Sequence, residues 1–240
     1  YLVATHDDFD IEGLVALPLF LALRAGIRAM VGLQRARFVG SEAMQQVTIA
    51  QRYLDAALGY LDPAPARLVA VGGFSGTGKS TLARALAPPL GVAPGAVHLR
   101  SDLERKRILG VAESERLAPE SYTKSANDRV YVHLLAKARN AIEAGHSVII
   151  DAVYSAPDER AAVEDLARLL RVPFNGLWLE ADHAILFARI ETRRGDASDA
   201  TIDVAQRQIE HGADALGWTR LDASLEPELV LAAAKRLLGL

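Results

Sequence analysis

No cysteine occurs anywhere in the 240 residues. That removes disulfides, thiolate zinc sites and cysteine nucleophiles in one step. The six histidines (His6, His98, His133, His146, His183, His211) are scattered without a His-x-x-x-His pair, so no structural metal site is expected. Aromatic residues make up only 6% of the chain and show no cluster on which bases could stack. Neither sign of charge dominates. The formal net charge of −3 argues against a large nucleic-acid footprint while leaving room for a local basic groove. Long apolar runs are scarce too, the exception being Ile11–Leu33. That run carries Glu12, Arg24, Arg28 and a central Pro18, and its uncharged part is too short to span a bilayer. A buried helix is expected there. The chain opens on an acidic stretch, not the basic n-region of a secretory signal, so a cytoplasmic protein with no membrane partner is expected. Tyr1 in place of a methionine points to a processed product or an excised fragment.

What is present is ordinary globular composition, half apolar and 24% charged, at a length that suits one large domain or one domain with an appendage. Apolar positions recur at helical spacing from Ile11 to Val31 and again over Ser41–Leu61. Two close prolines in Asp62–Ala66 then stop the helix and place a boundary, giving a helical appendage over 1–62 and a second domain over 67–240. Beyond the boundary, short β-like runs alternate with longer amphipathic ones. The strand candidates are Arg67–Gly73, Ala96–Arg100, Ser147–Asp151, Gly176–Ala181 and a weaker Thr219–Ala223. The clearest helices between them are Ser121–Ala144 and Asp158–Leu170. Such alternation predicts an α/β fold, a parallel sheet covered by helices on both faces, with its ligand at the carboxyl ends of the strands.

The sharpest signal is Gly73-Phe74-Ser75-Gly76-Thr77-Gly78-Lys79-Ser80, which fits G-x-x-x-x-G-K-[ST] at every fixed position. Chance alone yields this pattern in about one chain in a hundred of this length. Here it also lies between a predicted strand and a predicted helix. Glycines let the backbone fold around an anion with its N–H groups inward, and the following helix adds its positive end. Lys79 can reach the β- and γ-phosphates, and the Ser80 hydroxyl can ligate Mg²⁺. Gly73 to Thr81 are therefore the nucleotide-binding candidates.

Three further features bear on the γ-phosphate. Asp102, just past the second strand, can accept a proton from an acceptor hydroxyl, and Arg105 one helical turn on can hold the acceptor. Ser101 and Glu104 also fit an S-x-x-E capping box, in which Asp102 merely favours the helix dipole, and the two readings are compatible. Asp151 ends an apolar strand, as does an acid that holds Mg²⁺ directly or through water; the alternative is a loop aspartate after a buried strand. Arg189, Arg193 and Arg194 flank a Gly-Asp-Ala-Ser-Asp turn and either close over the nucleotide or form a solvated helix face.

With these pieces in order, the chain from about Arg67 onward resembles the P-loop kinases that include polynucleotide 5′-hydroxyl kinases, zeta toxins, chloramphenicol phosphotransferase and gluconate kinase. It is most similar to the bacterial members with an R-x-G-D-A-S-D-A segment, matched by Arg194–Ala200 with one residue fewer before the glycine. The resemblance implies a P-loop NTPase fold, with ATP and Mg²⁺ as cofactors. In polynucleotide kinases a D-x-x-R motif supplies the base and an acceptor-binding arginine, and Asp102 and Arg105 match it. A lid arginine falls within Arg189–Arg194, with Arg193 favoured as catalytic and Arg189 as nucleotide-binding. Leu17–Leu33 is similar to the closing helices of an aminoglycoside-phosphotransferase-like domain fused ahead of such a kinase. None of that family's catalytic motifs is present, so this part is expected to be silent and the natural protein to include a longer N-terminal domain.

Two functions from different classes follow. The leading one is an ATP-dependent kinase acting on a hydroxyl, with Lys79, Asp102, Arg105 and Arg193 as catalytic residues and Ser80 and Asp151 at the metal. The alternative is a P-loop ATPase whose hydrolysis drives a shape change. Such ATPases need a glutamate or glutamine to position water beyond the metal-binding strand, and Ala152 and Val153 follow Asp151. That lowers the motor reading and with it an AAA-type label. For the acceptor, the basic run Arg100, Arg105, Lys106 and Arg107 can contact the phosphates of an oligonucleotide end or form a solvated face. A small polar metabolite fits the charge balance better.

Overall fold

The computed structural model describes residues 9–192, 197–213 and 217–240. Five strands, β1 (Leu68–Gly73), β2 (Val97–Arg100), β3 (Val148–Asp151), β4 (Phe174–Glu180) and β5 (Thr219–Asp222), lie in the order β2-β3-β1-β4-β5. Every pairing is parallel, with Val71 opposite both Asp151 and Leu177. The strands are those expected from the sequence, because a central parallel strand is covered on both faces and reads as an unbroken apolar run. β1, every residue of which is buried, shows this best.

Side chains alternate across the sheet and so build two cores. Leu68, Ala70, Val148 and Ile150 face one side, packing with α6 (Lys124–Glu143) and α7 (Pro157–Leu170). Val69, Val71, Ile149, Leu177 and Leu179 face the other, under α4 (Lys79–Leu86) and α10 (Pro227–Leu238). Helix α5 (Ser101–Leu109) leaves the end of β2, while α8 (His183–Thr192) and α9 (Ile202–His211) follow β4. The strand ends thus converge on the turn between β1 and α4.

The amino-terminal part differs from expectation. After a short helix α1 (Phe9–Glu12), α2 (Leu17–Ala36) and α3 (Ala43–Leu61) form a hairpin. The stretch Asp10–Ala36 is long and apolar enough to cross a membrane by length and composition, yet only 17% of its most apolar window is buried. The buried helix predicted for this run is therefore not what forms. Ala22, Ala25 and Ala29 turn inward, with Ala50 and Ala57 of α3, and a Cβ added to Gly32 would sit 3.3 Å from that of Ala50. Small residues let the two backbones approach, and the large ones, Phe20, Leu23, Ile27 and Met30, are left outside. Ile11 and Leu14 reach the main core and Leu17 packs against it, with His146 bonded to the Leu14 carbonyl at 3.2 Å.

Candidate active site

The turn after β1 closes on itself through glycine geometry. Gly73 and Gly76 have φ of 140° and 89°, and a Cβ on either would strike the Leu179 or Leu186 carbonyl oxygen at 2.6 or 2.7 Å. No side chain is tolerated at these two positions. Gly78, left-handed, opens α4, so that Lys79, Ser80 and Thr81 form its first turn. Thr77 folds its hydroxyl onto the Phe74 carbonyl at 2.8 Å, and Lys79 Nζ donates to the same oxygen at 3.0 Å.

Beside the loop, Ser80 donates its hydroxyl hydrogen to Asp151 Oδ2. Asp151 is buried, with His98 Nε2 at 3.6 Å and Arg100 Nε at 3.7 Å. Burial alone would raise its carboxyl. The His98 ring close by and the charge of Lys79, with the Ser80 hydrogen bond, outweigh burial and hold it below the usual range. Asp151 is thus kept ionised, and with the Ser80 hydroxyl it forms a pair of hard oxygen donors suited to Mg²⁺.

Asp102 behaves in the opposite way. Burial pushes its carboxyl up and nearby Asp151 adds to this, while Lys79, a hydrogen bond from Ser198 and Arg100 pull it down without prevailing. Two carboxylates of one site are therefore driven apart in proton affinity, the arrangement expected of a metal ligand and a base. The capping-box geometry is absent. Ser101 is already inside α5, the N-cap residue Arg100 makes no side-chain cap, and Glu104 turns to Arg107 and Lys137 at 2.6 and 2.7 Å.

Arg105 lines the site, but its guanidinium is spoken for at both ends. Nη1 bonds the Ser121 carbonyl and Nη2 the Asn127 side chain, each at 2.8 Å, and the plane lies 4.6 Å from the Tyr122 ring. Its buried Nε has no hydrogen-bond partner among the described residues. The other cations of the run are engaged as well, Lys106 with Asp199 at 3.2 Å and Arg107 with Glu104. The run is neither a solvated face nor an open strip for phosphates.

Arg189 reaches the Ala223 carbonyl at 2.9 Å and lines the site with Thr81, Leu225, Val230 and Leu231. Arg193 and Arg194 lie outside the described residues. Several lining residues escaped the sequence reading. Asp199 accepts hydrogen bonds from Leu117 N, Tyr122 Oη and Lys106 Nζ, Ser198 bonds Asp102, and Gln208 Oε1 accepts from Ser75 N. The Gly-Asp-Ala-Ser-Asp segment was the available signal. The loop, Asp102, Asp151, Ser198, Asp199 and Gln208 line one cavity of about 1170 Å³, larger than one small ligand needs and roomy enough for a nucleotide and an acceptor.

Residues 68–216 match the model of a family described as an AAA domain, AAA_33. The AAA-type label that the sequence reading set lower is thus the one this match carries. The uncharacterized proteins Rv2004c of Mycobacterium tuberculosis (strain ATCC 25618 / H37Rv) and Mb2027c of Mycobacterium bovis (strain ATCC BAA-935 / AF2122/97) are each 34% identical over 209 residues. The alignment takes in 85% of this chain and 41% of each relative, so the chain spans less than half the length of these curated relatives. Among solved structures, a sugar kinase from Janibacter sp. HTCC2649 is similar at a TM-score of 0.54 and 22% identity, covering 73% of this chain and 95% of that one. The APS kinase CysC of Mycobacterium tuberculosis, in complex with AMPPNP and APS, gives 0.56 and 16%, covering 74% and 100%. These likenesses establish a shared α/β P-loop fold.

Proposed function

The chain belongs to the AAA_33 family of AAA domains, and on that footing we propose that it is an ATP-dependent kinase that phosphorylates a hydroxyl group of a small molecule. The observation that carries the reading is that Asp102 and Asp151 line one cavity at the mouth of the Gly73–Ser80 loop, the first raised and the second lowered in proton affinity. A motor ATPase has no need of the first. In this reading the loop and Thr81 hold the phosphates of ATP and Arg189 borders the nucleotide. Ser80 and Asp151 hold Mg²⁺, which when bound neutralises charge on the phosphates. Asp102 takes the proton of the acceptor hydroxyl as its oxygen bonds to the γ-phosphorus. The bond from that phosphorus to the ADP oxygen breaks, leaving ADP and a phosphate monoester. Arg105 shapes the acceptor wall, and Arg193 serves as the lid arginine.

A small acceptor is favoured over a polynucleotide end because Lys106 and Arg107 are committed to Asp199 and Glu104. In the same reading the apolar outer face of the α2–α3 hairpin packs on a further domain of a longer protein. The relatives, of which the chain spans 41%, have room for one.

Transfer of labelled γ-phosphate from ATP to sugars, amino sugars, nucleosides, aminoglycosides and 5′-hydroxyl oligonucleotides tests this, with Lys79→Ala as the blank. A labelled small molecule is the expected product. Label released only as free phosphate, at a steady rate and whatever the acceptor, overturns the kinase in favour of an ATPase.

A further inference from the structure

The peptide unit joining Phe74 to Ser75 is held from both sides. Its carbonyl oxygen receives Lys79 Nζ at 3.0 Å, and its N–H donates to Gln208 Oε1 at 2.9 Å. An N–H donor accepts only the oxygen end of a carboxamide as its partner, which settles the orientation of the Gln208 side chain. The Nε2 end, with two N–H donors, is left over. It has no hydrogen-bond partner among the described residues, and Gln208 is part of the cavity lining.

Lys79 is the residue of this loop that reaches the β- and γ-phosphates. Its ammonium rests on the Phe74 carbonyl, which marks that peptide as the terminal-phosphate end of the loop. The helical amides after Gly78 lie at the inner end. Gln208 therefore stands where the last phosphate of a triphosphate comes, offering donors to an anion. It also stands on α9, which begins just after Ser198 and Asp199. Those two bond Asp102 and the Lys106–Tyr122 wall. One short segment thus touches the phosphate loop at one end and the acceptor side at the other.

We infer that Gln208 is a γ-phosphate-binding residue, keeping Oε1 on Ser75 N–H while Nε2 donates to the terminal phosphate, so that the site tells a nucleoside triphosphate from a diphosphate. The inference rests on the nucleotide-binding part of the reading above and needs no particular acceptor.

Calorimetric titration of the full chain with AMPPNP and with ADP, in the presence of Mg²⁺, tests it in the wild type, Gln208→Leu and Gln208→Glu. Loss of one hydrogen bond to a charged group gives Gln208→Leu an AMPPNP affinity about tenfold or more weaker, while ADP stays within about twofold. Gln208→Glu keeps an oxygen for Ser75 and so preserves the loop, but sets a carboxylate against the phosphate. It loses AMPPNP at least as strongly and also spares ADP. If both nucleotides weaken together, Gln208 only braces the loop and the inference is wrong. Equal affinities for wild type and both variants overturn it as well. A wild-type chain that binds neither nucleotide overturns this inference and the kinase together. A chain that discriminates as described yet labels no acceptor upholds Gln208 while the kinase reading fails.

Discussion

Lys106 Nζ stands 3.2 Å from Asp199 Oδ1, with the two side chains only 2% and 8% exposed. The pair fastens α5 to the segment that leads into α9, and the partners are not equally supported. Asp199 also accepts from Leu117 N at 3.1 Å and Tyr122 Oη at 2.9 Å, whereas among the described residues Lys106 has only the Glu113 carbonyl besides. A buried charge stripped of its partner costs about 3–5 kcal/mol, while replacing both charges with apolar groups is often neutral. Asp199→Leu is therefore expected to destabilise more than Lys106→Met, and the double variant to regain most of the loss. Urea unfolding midpoints of the three proteins measure this. A double variant no better than Asp199→Leu would mean that the pair does not act as a unit.

Asp102→Asn separates catalysis from stability. In the proposed kinase Asp102 is the general base, and its removal slows transfer by about 10²–10⁴-fold. The stability change has the opposite sign. Burial raises the Asp102 carboxyl in the folded chain, so the native state binds the proton more tightly than the unfolded one. Stability from this group is full below the unfolded value and declines as pH rises through the folded one. At neutral pH the ionised carboxylate is a burden, and Asn at this position is expected to raise the melting temperature. The gain disappears at pH below the ordinary carboxylate range. The same shift sets the acid limb of the rate profile, with kcat/KM rising with pH through a value above that of a free aspartate. A variant with wild-type activity would assign the base elsewhere.

Glu104 titrates in the other direction. Burial by itself would raise its carboxyl, but hydrogen bonds from Arg107 and Lys137 and their charges hold it low. Such a group stabilises the fold above its unfolded value, and the contribution fades as pH falls through the folded one. Glu104→Gln is expected to lower stability at neutral pH by about 1–3 kcal/mol, the worth of hydrogen bonds to charged groups. The difference from wild type should close as pH falls below the ordinary glutamate range. Denaturation midpoints at neutral and acid pH check both size and trend.

Glu104 also shows where reading a sequence stops. The spacing of Ser101 and Glu104 satisfies a local rule, and the glutamate instead finds Lys137, 33 residues away. Strands and phosphate loop were legible because their signals are local: apolar runs between turns and glycines at fixed offsets. The links from Ser198 to Asp102 and from Gln208 to Ser75 join residues far apart in the chain, and no periodicity encodes them. Apolarity misled at α2 for a related reason. It reports that a face needs cover, while Ala22, Ala25 and Ala29 decide which face the neighbouring helix takes.

The sheet's central packing offers a stringent steric test at Gly176. A Cβ there would lie 2.4 Å from Trp218 Cδ2, closer than any real contact, and it meets the ring itself with no flexible side-chain tip to give way. Trp218 has little freedom to yield. Its Nε1 donates to Glu164 at 2.8 Å, and its ring packs edge-on against Tyr154 and Phe174 at 4.9 and 5.9 Å. Overpacking of this kind costs about 1–3 kcal/mol, occasionally more. Gly176→Ala is thus expected to lower the urea midpoint and to shift the tryptophan emission as the ring is displaced. Since Trp218 leads into β5, whose far end borders the nucleotide half of the cavity at Ala223, ATP affinity should fall with it. A Gly176→Ala protein with unchanged midpoint and emission would show that β5 sits more loosely on β4 than the packing of Trp218 implies.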